Sequence, residues 1–187
     1  MPIIKYSPLH SLHLKNKAKF IEFSGWTMPF SYKGTIKEHQ FVRQNNGYFD
    51  VSHMGRLVID NDYLQKVSTL ICSDLLELKS GKALYSIFTD DNGSALDDVI
   101  FWKYDEYVLL ICNAANTEKI RNYLQTEEIF YQDLTEKTAL VAVQGPKAIS
   151  NLETLLPIPG SFSCLSNDKY TYARTGYTGE DGLEIMV

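Results

Sequence analysis

The sequence predicts an α+β fold of antiparallel sheets with flanking helices, and three observations carry that reading. Apolar runs of strand length are mixed with only a few helical stretches. Two of those runs, 83–90 and 94–104, are separated by Asp91-Asn92-Gly93, and Asn-Gly between apolar runs is a strong hairpin signal. Asp105-Glu106 then turns the chain back into a third run, 107–112.

The remaining elements follow in order. Phe23-Ser24-Gly25-Trp26-Thr27-Met28-Pro29-Phe30 is marked as loop by its Gly and Pro. Residues 36–44 form a short helix, stopped by Asn46-Gly47, a common C-terminal cap. Residues 48–59 are extended. Asp60-Asn61-Asp62 caps a helix over 63–72, with Leu64, Val67, Leu70 and Ile71 on one face. Asn92-Gly93 are expected as the two loop residues of a type I′ turn, which sets Ile87 opposite Asp98. Asn116-Thr117 opens a helix through Leu124, and 138–143 is a strand. Gly145-Pro146 starts a helix with Ile149, Leu152, Leu155 and Leu156 as its apolar stripe. A Pro-, Ser- and Gly-rich loop spans 157–168, and the last stretch carries Gly176, Gly179 and Gly182.

Composition bounds the function. The 187 residues are 44% hydrophobic and 22% charged, the balance of an ordinary globular protein with a real core. Net charge is −5 with no block of like charge, so the basic stripe that duplex binding needs is missing, as is a polybasic membrane patch. No stretch approaches the ~20 apolar residues of a membrane span. Met1-Pro2-Ile3-Ile4-Lys5-Tyr6-Ser7-Pro8 has neither a signal-peptide core nor an Arg-rich transit pattern, so the expected compartment is the cytoplasm. Cys72, Cys112 and Cys164 are odd in number and far apart, which fits free buried thiols. His10 and His13 form an isolated His-x-x-His with no partnering ligands, a packing pair rather than a metal site.

The chemistry concentrates at Asp97-Asp98, inside Ser94-Ala95-Leu96-Asp97-Asp98-Val99-Ile100-Phe101-Trp102. Alternate strand residues share a face, so Asp98 goes with Leu96, Ile100 and Trp102, and Asp97 with Ala95, Val99 and Phe101. Both faces are largely apolar, and a buried carboxylate needs a hydrogen-bonding or catalytic reason. With Ile87 facing Asp98, Tyr85 is diagonal to it on the same face. A carboxylate between Tyr85 and Trp102 suits a flat aromatic ring bearing amines. Two acids that merely end a strand or bind backbone amides fit the spacing equally well. In Arg174-Thr175-Gly176-Tyr177-Thr178-Gly179-Glu180-Asp181-Gly182-Leu183-Glu184, the three glycines permit tight turns and close backbone approach. No Gly-Lys-Ser/Thr follows and calcium-loop spacing is lacking. Glu184 sits within a strand between Leu183 and Ile185, either on an exposed face or with a polar task. Asp50, Ser52 and His53 make a weak hydrolase triad, since no nucleophile elbow is present. Lys82 is a strand-start lysine before it is a Schiff-base one.

These segments, in order, resemble the aminomethyltransferases, the folate-using T proteins of the glycine cleavage system. Phe23-Ser24-Gly25-Trp26-Thr27-Met28-Pro29, Glu38-His39 with Val42-Arg43, and Phe49-Asp50-Val51-Ser52-His53-Met54-Gly55 come first. Gly81-Lys82-Ala83-Leu84-Tyr85-Ser86, Leu96-Asp97-Asp98, Asn113-Ala114-Ala115-Asn116 with Glu118-Lys119, Gln144-Gly145-Pro146-Lys147 and Arg174 to Glu184 follow. The resemblance implies transfer of a one-carbon unit from the aminomethyl-lipoyl arm of H protein to tetrahydrofolate, with release of ammonia. It implies Asp98 as the catalytic acid near N10 of folate, Tyr85 in the folate cavity, and Trp102 where many relatives have Tyr. It further implies Glu184 on the pterin's amino edge, Tyr177 and Asn113 as cavity-lining residues, Met54 packed against folate, and no metal.

The implied fold is the T-protein cloverleaf. Its first lobe would take 1–54 and 138–187, and the second, mixed lobe 55–137. Family members are much longer, so the C-terminal barrel is expected to be absent here and supplied in cis or trans, with this piece inactive alone. Relatives on the same fold include folate-dependent demethylase domains of sarcosine or dimethylglycine oxidation and iron–sulfur maintenance proteins. The latter show Lys-Gly-Cys where this chain has Arg174-Thr175-Gly176-Tyr177. A non-catalytic folate-binding module is the third reading.

Overall fold

A computed structural model of the chain describes residues 4–187; the first three residues of the stretch read above for a leader lie outside the described residues. The chain opens with β1 (Lys5–Tyr6), α1 (His10–Lys15), β2 (Lys19–Phe23) and β3 (Trp26–Ser31). Then come α2 (Thr35–Gln44), β4 (Gly47–Asp50), β5 (Gly55–Asp60), α3 (Leu64–Thr69), β6 (Ala83–Thr89), β7 (Ala95–Lys103) and β8 (Tyr107–Cys112). The remainder is α4 (Thr117–Thr126), β9 (Tyr131–Asp133), β10 (Leu140–Gln144), α5 (Ala148–Leu152), β11 (Cys164–Ser166), β12 (Thr171–Ala173) and β13 (Gly182–Met186). Two compact units result. One holds residues up to His53 with Glu136–Ser161 and Leu165–Val187; the other holds Met54–Thr135 with Phe162–Cys164. The α+β architecture with antiparallel sheets is as predicted, and none of the sheets described here closes into a barrel.

The first unit carries a three-stranded sheet ordered β1-β3-β2 and a five-stranded sheet ordered β11-β12-β13-β10-β4. The predicted loop at 23–30 is in fact a hairpin. Ser24 and Gly25 take positive φ as its turn, and β3 runs on through Pro29. Proline is tolerated there because β1 pairs only with Trp26 and Thr27, so β3 has one neighbour at Pro29. The helix after Gly145-Pro146 is shorter than its stripe suggested. It spans five residues, Ala148 and Leu152 are buried, and Leu155 is exposed.

The second unit is a five-stranded sheet ordered β6-β7-β8-β5-β9. Leu57, Ile59, Phe88, Val99, Phe101, Val108 and Leu110 form its core with Leu64 and Val67 of α3 and Ile120 and Leu124 of α4. The expected 63–72 helix is confined to Leu64–Thr69, with Asp60 capping a 3₁₀ turn ahead of it by accepting from the Asp62 amide at 2.9 Å. Leu70 and Ile71 are buried beyond its end, as their face predicted. The β6–β7 hairpin departs from the type I′ expectation, because Gly93 alone in its loop has positive φ. Asp90 N–H donates to Ser94 C=O, and the Asp90 carboxylate accepts from the amides of Asn92 and Ser94. The loop is therefore three residues long, a type I turn closed by a left-handed Gly. Leu96 bulges by one residue and absorbs the extra length, so Ile87 still faces Asp98.

Leu57 has no exposed surface and lies at the centre of the β5 contribution to this core. Leu57→Ala is expected to cost about 3 kcal/mol, read as a lower urea midpoint at unchanged slope. A loss under about 1 kcal/mol would mean the site collapses around the vacancy.

Candidate functional site

The hairpin register decides where two adjacent acids point. Asp97 shares a face with Phe88 and the helix-covered core, and Asp98 shares the other with Ile87 and Tyr85. Asp98 stays accessible. Its Oδ2 accepts from Tyr85 Oη at 3.2 Å, and its Oδ1 accepts from Asn113 Nδ2 at 2.8 Å. Both carboxylate oxygens are thus oriented while the group remains open to solvent. Burial and the Asp98 charge raise the Tyr85 hydroxyl above its ordinary pKa, which keeps it a donor. Asp97 is 4% exposed and lies among apolar side chains without a cation beside it in its hydrogen-bond set.

Trp102 lies two strand positions past Ile100 on the Asp98 face and has no exposed surface. Trp102, expected beside Asp98 as part of a cradle for a flat ring, is therefore enclosed in this structure. The indole is buried, and its Nε1–H has no hydrogen-bonding partner among the described residues. Met54 is likewise buried, and its carbonyl accepts from Nη1 of the fully buried Arg56 at 2.5 Å. Arg56 was not singled out from sequence. A single arginine after Gly55 at a strand start carries no signal of burial.

A second group of predicted residues sits in the other unit, on the glycine-rich hairpin into β13. Glu184 is 1% exposed and pairs opposite Ala142 of β10. Its Oε2 accepts from Thr175 Oγ1 at 2.6 Å, and its Oε1 has no hydrogen-bonding partner among the described residues. Burial pushes this carboxyl above the usual range, against the lowering influence of the Thr175 and Tyr177 hydroxyls. The glycines explain the tight approach: a Cβ on Gly182 would lie 2.0 Å from the Val143 carbonyl, and one on Gly176 would lie 1.9 Å from Gln144 Oε1. Gly179 takes φ of +76° at the turn. Tyr177 is exposed and lines a cavity of about 440 Å³ with Phe30, His39, Arg43 and Phe49.

The residues set aside in the sequence have other partners. Asp50 accepts from Ser7 and the Ser52 amide and meets His13 Nε2 at 2.7 Å. Burial works against the Asp50 charge, yet hydrogen bonds from Ser52, Ser7 and His13 hold its carboxyl below the ordinary range. His13 Nδ1 in turn meets Tyr32 Oη at 2.6 Å, and His10 packs against Tyr6 and Phe20. Lys82 Nζ donates to Ser163 Oγ at 3.0 Å. Cys112 and Cys164 are buried free thiols, but Cys72 is exposed, contrary to the expectation of three buried ones, because α3 ends at Thr69. Among the described residues no group of His, Cys, Asp and Glu could hold a metal ion, and no helix is long and apolar enough to cross a membrane.

The chain is thus an α+β protein of antiparallel sheets, with an oriented, accessible carboxylate in one unit and a half-satisfied buried one in the other. The chain belongs to the GCVT N-terminal domain family, whose model matches residues 9–187. It is 40% identical over 199 residues to the aminomethyltransferase of Synechocystis, covering 97% of this chain and 54% of that protein. The aminomethyltransferase of Shouchella clausii is 37% identical over 195 residues, covering 97% and 53%. The crystal structure of glycine cleavage system aminomethyltransferase T from Bartonella henselae superposes with a TM-score of 0.90 at 32% identity, covering 98% of this chain and 54% of that one. The chain therefore spans about half the length of the curated relatives it matches.

The raised Glu184 pKa sets a pH-dependent prediction. The folded state holds this proton more tightly than the unfolded state, so stability falls as pH rises from the ordinary carboxylate value through the folded one. Glu184→Gln is expected to raise the thermal midpoint at about pH 8 and to leave it nearly unchanged at about pH 4. A midpoint lowered at both pH values would show that the ionised carboxylate supports the fold.

Proposed function

We propose that this chain is the N-terminal portion of an aminomethyltransferase of the glycine cleavage system. The reaction moves a one-carbon unit from the aminomethyl-lipoyl arm of H protein to tetrahydrofolate and releases ammonia. What chiefly supports this reading is Asp98, an accessible carboxylate held at both oxygens by Tyr85 and Asn113 on a chain matching aminomethyltransferases over 97% of its length.

The residues present fit a reduced pterin. Glu184 offers a buried, unpartnered carboxylate oxygen, the acceptor that an amino edge with parallel N–H donors requires. Trp102 offers a buried, unpartnered N–H. An unsatisfied buried polar atom costs about 1–3 kcal/mol, so a ligand that pairs with either recovers that cost on binding. Tetrahydrofolate would supply the amine nitrogens that take up the carbon. Asp98 would hold a proton position beside the reacting amine and stabilise positive charge developing at the transferred carbon. Tyr85 and Asn113 would fix its carboxylate, with Glu184 and Tyr177 contributing to pterin recognition and Met54 to packing. In this reading the lobes take 1–54 with 138–187, and 55–137. The remaining part of the enzyme acts in cis or in trans, and the compartment is the cytoplasm.

The test joins this chain to the part of the Synechocystis aminomethyltransferase that it does not match, and assays lipoyl-dependent ammonia release. Asp98→Asn is expected to lower turnover by about 10²-fold or more while tetrahydrofolate binding is retained. Turnover unchanged by Asp98→Asn would remove this carboxylate from the mechanism. No ammonia release by the unsubstituted protein, with tetrahydrofolate bound, would favour a folate-binding role without transfer.

A further inference from the structure

Asp97 has no assigned role, yet it is the more heavily invested of the two acids. It is buried, and three N–H groups converge on its carboxylate. The Asn113 backbone amide donates to Oδ2 at 2.9 Å, Asn113 Nδ2 donates to Oδ1 at 2.9 Å, and Asn116 Nδ2 donates to Oδ1 at 2.6 Å. The spacing explains the convergence. Ala114–Asn116 form a single 3₁₀ turn after β8, and residues three apart eclipse one another in that geometry, so both asparagine amides face the same way. Asn113 Nδ2 also reaches Asp98 Oδ1 at 2.8 Å and the Asp98 carbonyl at 3.1 Å. One side-chain amide therefore bridges both carboxylates.

We propose that Asp97 is a positioning residue for Asp98, acting through the Asn113 amide that it clamps. A free asparagine side chain has rotamer freedom and a two-fold amide orientation. With Asp97 accepting from its Nδ2 and its backbone N–H together, one orientation survives, in which an N–H rather than a C=O is aimed at Asp98. Were the amide reversed, its oxygen would oppose the Asp98 carboxylate and displace it from Tyr85. Asn116 adds a third donor, which offsets the desolvation of a carboxylate among Phe88, Val99 and Phe101. The pair thus divides its work between an inner acid that sets the geometry and an outer acid that meets the ligand.

This inference rests on the reading of Asp98 given above, and its test separates the two. In the joined protein, Asp97→Asn is expected to lower kcat by about tenfold to a hundredfold with KM for tetrahydrofolate changed less than about twofold. In the Asp98→Asn background the same substitution is expected to cost nothing further, because its effect travels through Asp98. On the 187-residue chain alone, the Asn113 side-chain NH₂ protons are expected to exchange with water at least about tenfold faster in Asp97→Asn than in the parent. If Asp97→Asn fails to fold, Asn116→Ala removes one of the three donors and is expected to give the same pattern at a few-fold scale. Losses that multiply in the double variant, or unchanged Asn113 exchange, overturn the assignment. Rapid Asn113 exchange in Asp97→Asn beside an inert Asp98→Asn would keep the clamp and discard the chemistry of Asp98.

Discussion

The register of the β6–β7 hairpin is the constraint on which the rest depends. Side chains alternate across a strand, so slipping β7 by one residue would exchange Asp97 and Asp98 between faces. Asp98 would then enter the face packed by Phe88, Leu57 and Leu110, away from Tyr85 and Asn113, while Val99 and Phe101 left it. Two local devices hold the register. Asp90 locks the turn by accepting from Asn92 and Ser94, and the Leu96 bulge cancels the extra loop residue. Neither device touches the carboxylates, but both decide what the carboxylates meet. The ladder between β7 and β8, from Val99–Cys112 to Lys103–Val108, then carries Asn113 to the end of β7 where the acids lie.

How much of this was legible in the sequence depended on whether a signal was local. The α+β class, the pairing of Ile87 with Asp98 and the reach of Tyr85 to Asp98 follow from alternation and one Asn-Gly turn. The turn type did not, because an Asp before Asn-Gly can stabilise a type I turn through its own carboxylate, and then only Gly93 needs positive φ. Pro29 misled for a different reason. Whether a strand has one neighbour or two at a given residue is set here by where β1 ends, far earlier in the chain, and no local pattern reports it. The burial of Trp102 and Arg56 is a tertiary property of the same kind. The Asn113–Asp97–Asn116 clamp was half visible: the i, i+3 asparagines stood in the sequence, but their target could be known only once β8 lay beside β7.

Three buried carboxylates show how the same cost is met in three ways, and the differences bear on function. Asp50 is satisfied by Ser7, Ser52 and His13, and those hydrogen bonds favour its ionised form despite burial. Asp97 is satisfied by amide N–H groups alone, which fix its geometry. Glu184 is left with one oxygen unpaired and a carboxyl pushed toward its neutral form. A fold that satisfies two of its buried acids completely has the means to satisfy the third. Leaving Glu184 half-paired, beside glycines that keep Gln144 and Val143 in close backbone contact with its strand, therefore stores unfilled hydrogen-bonding capacity at one point. Such capacity stabilises nothing in the free chain, so its physical sense lies in a partner whose donors match it. That is the reason a carboxylate contributing least to the fold is the one best suited to recognition.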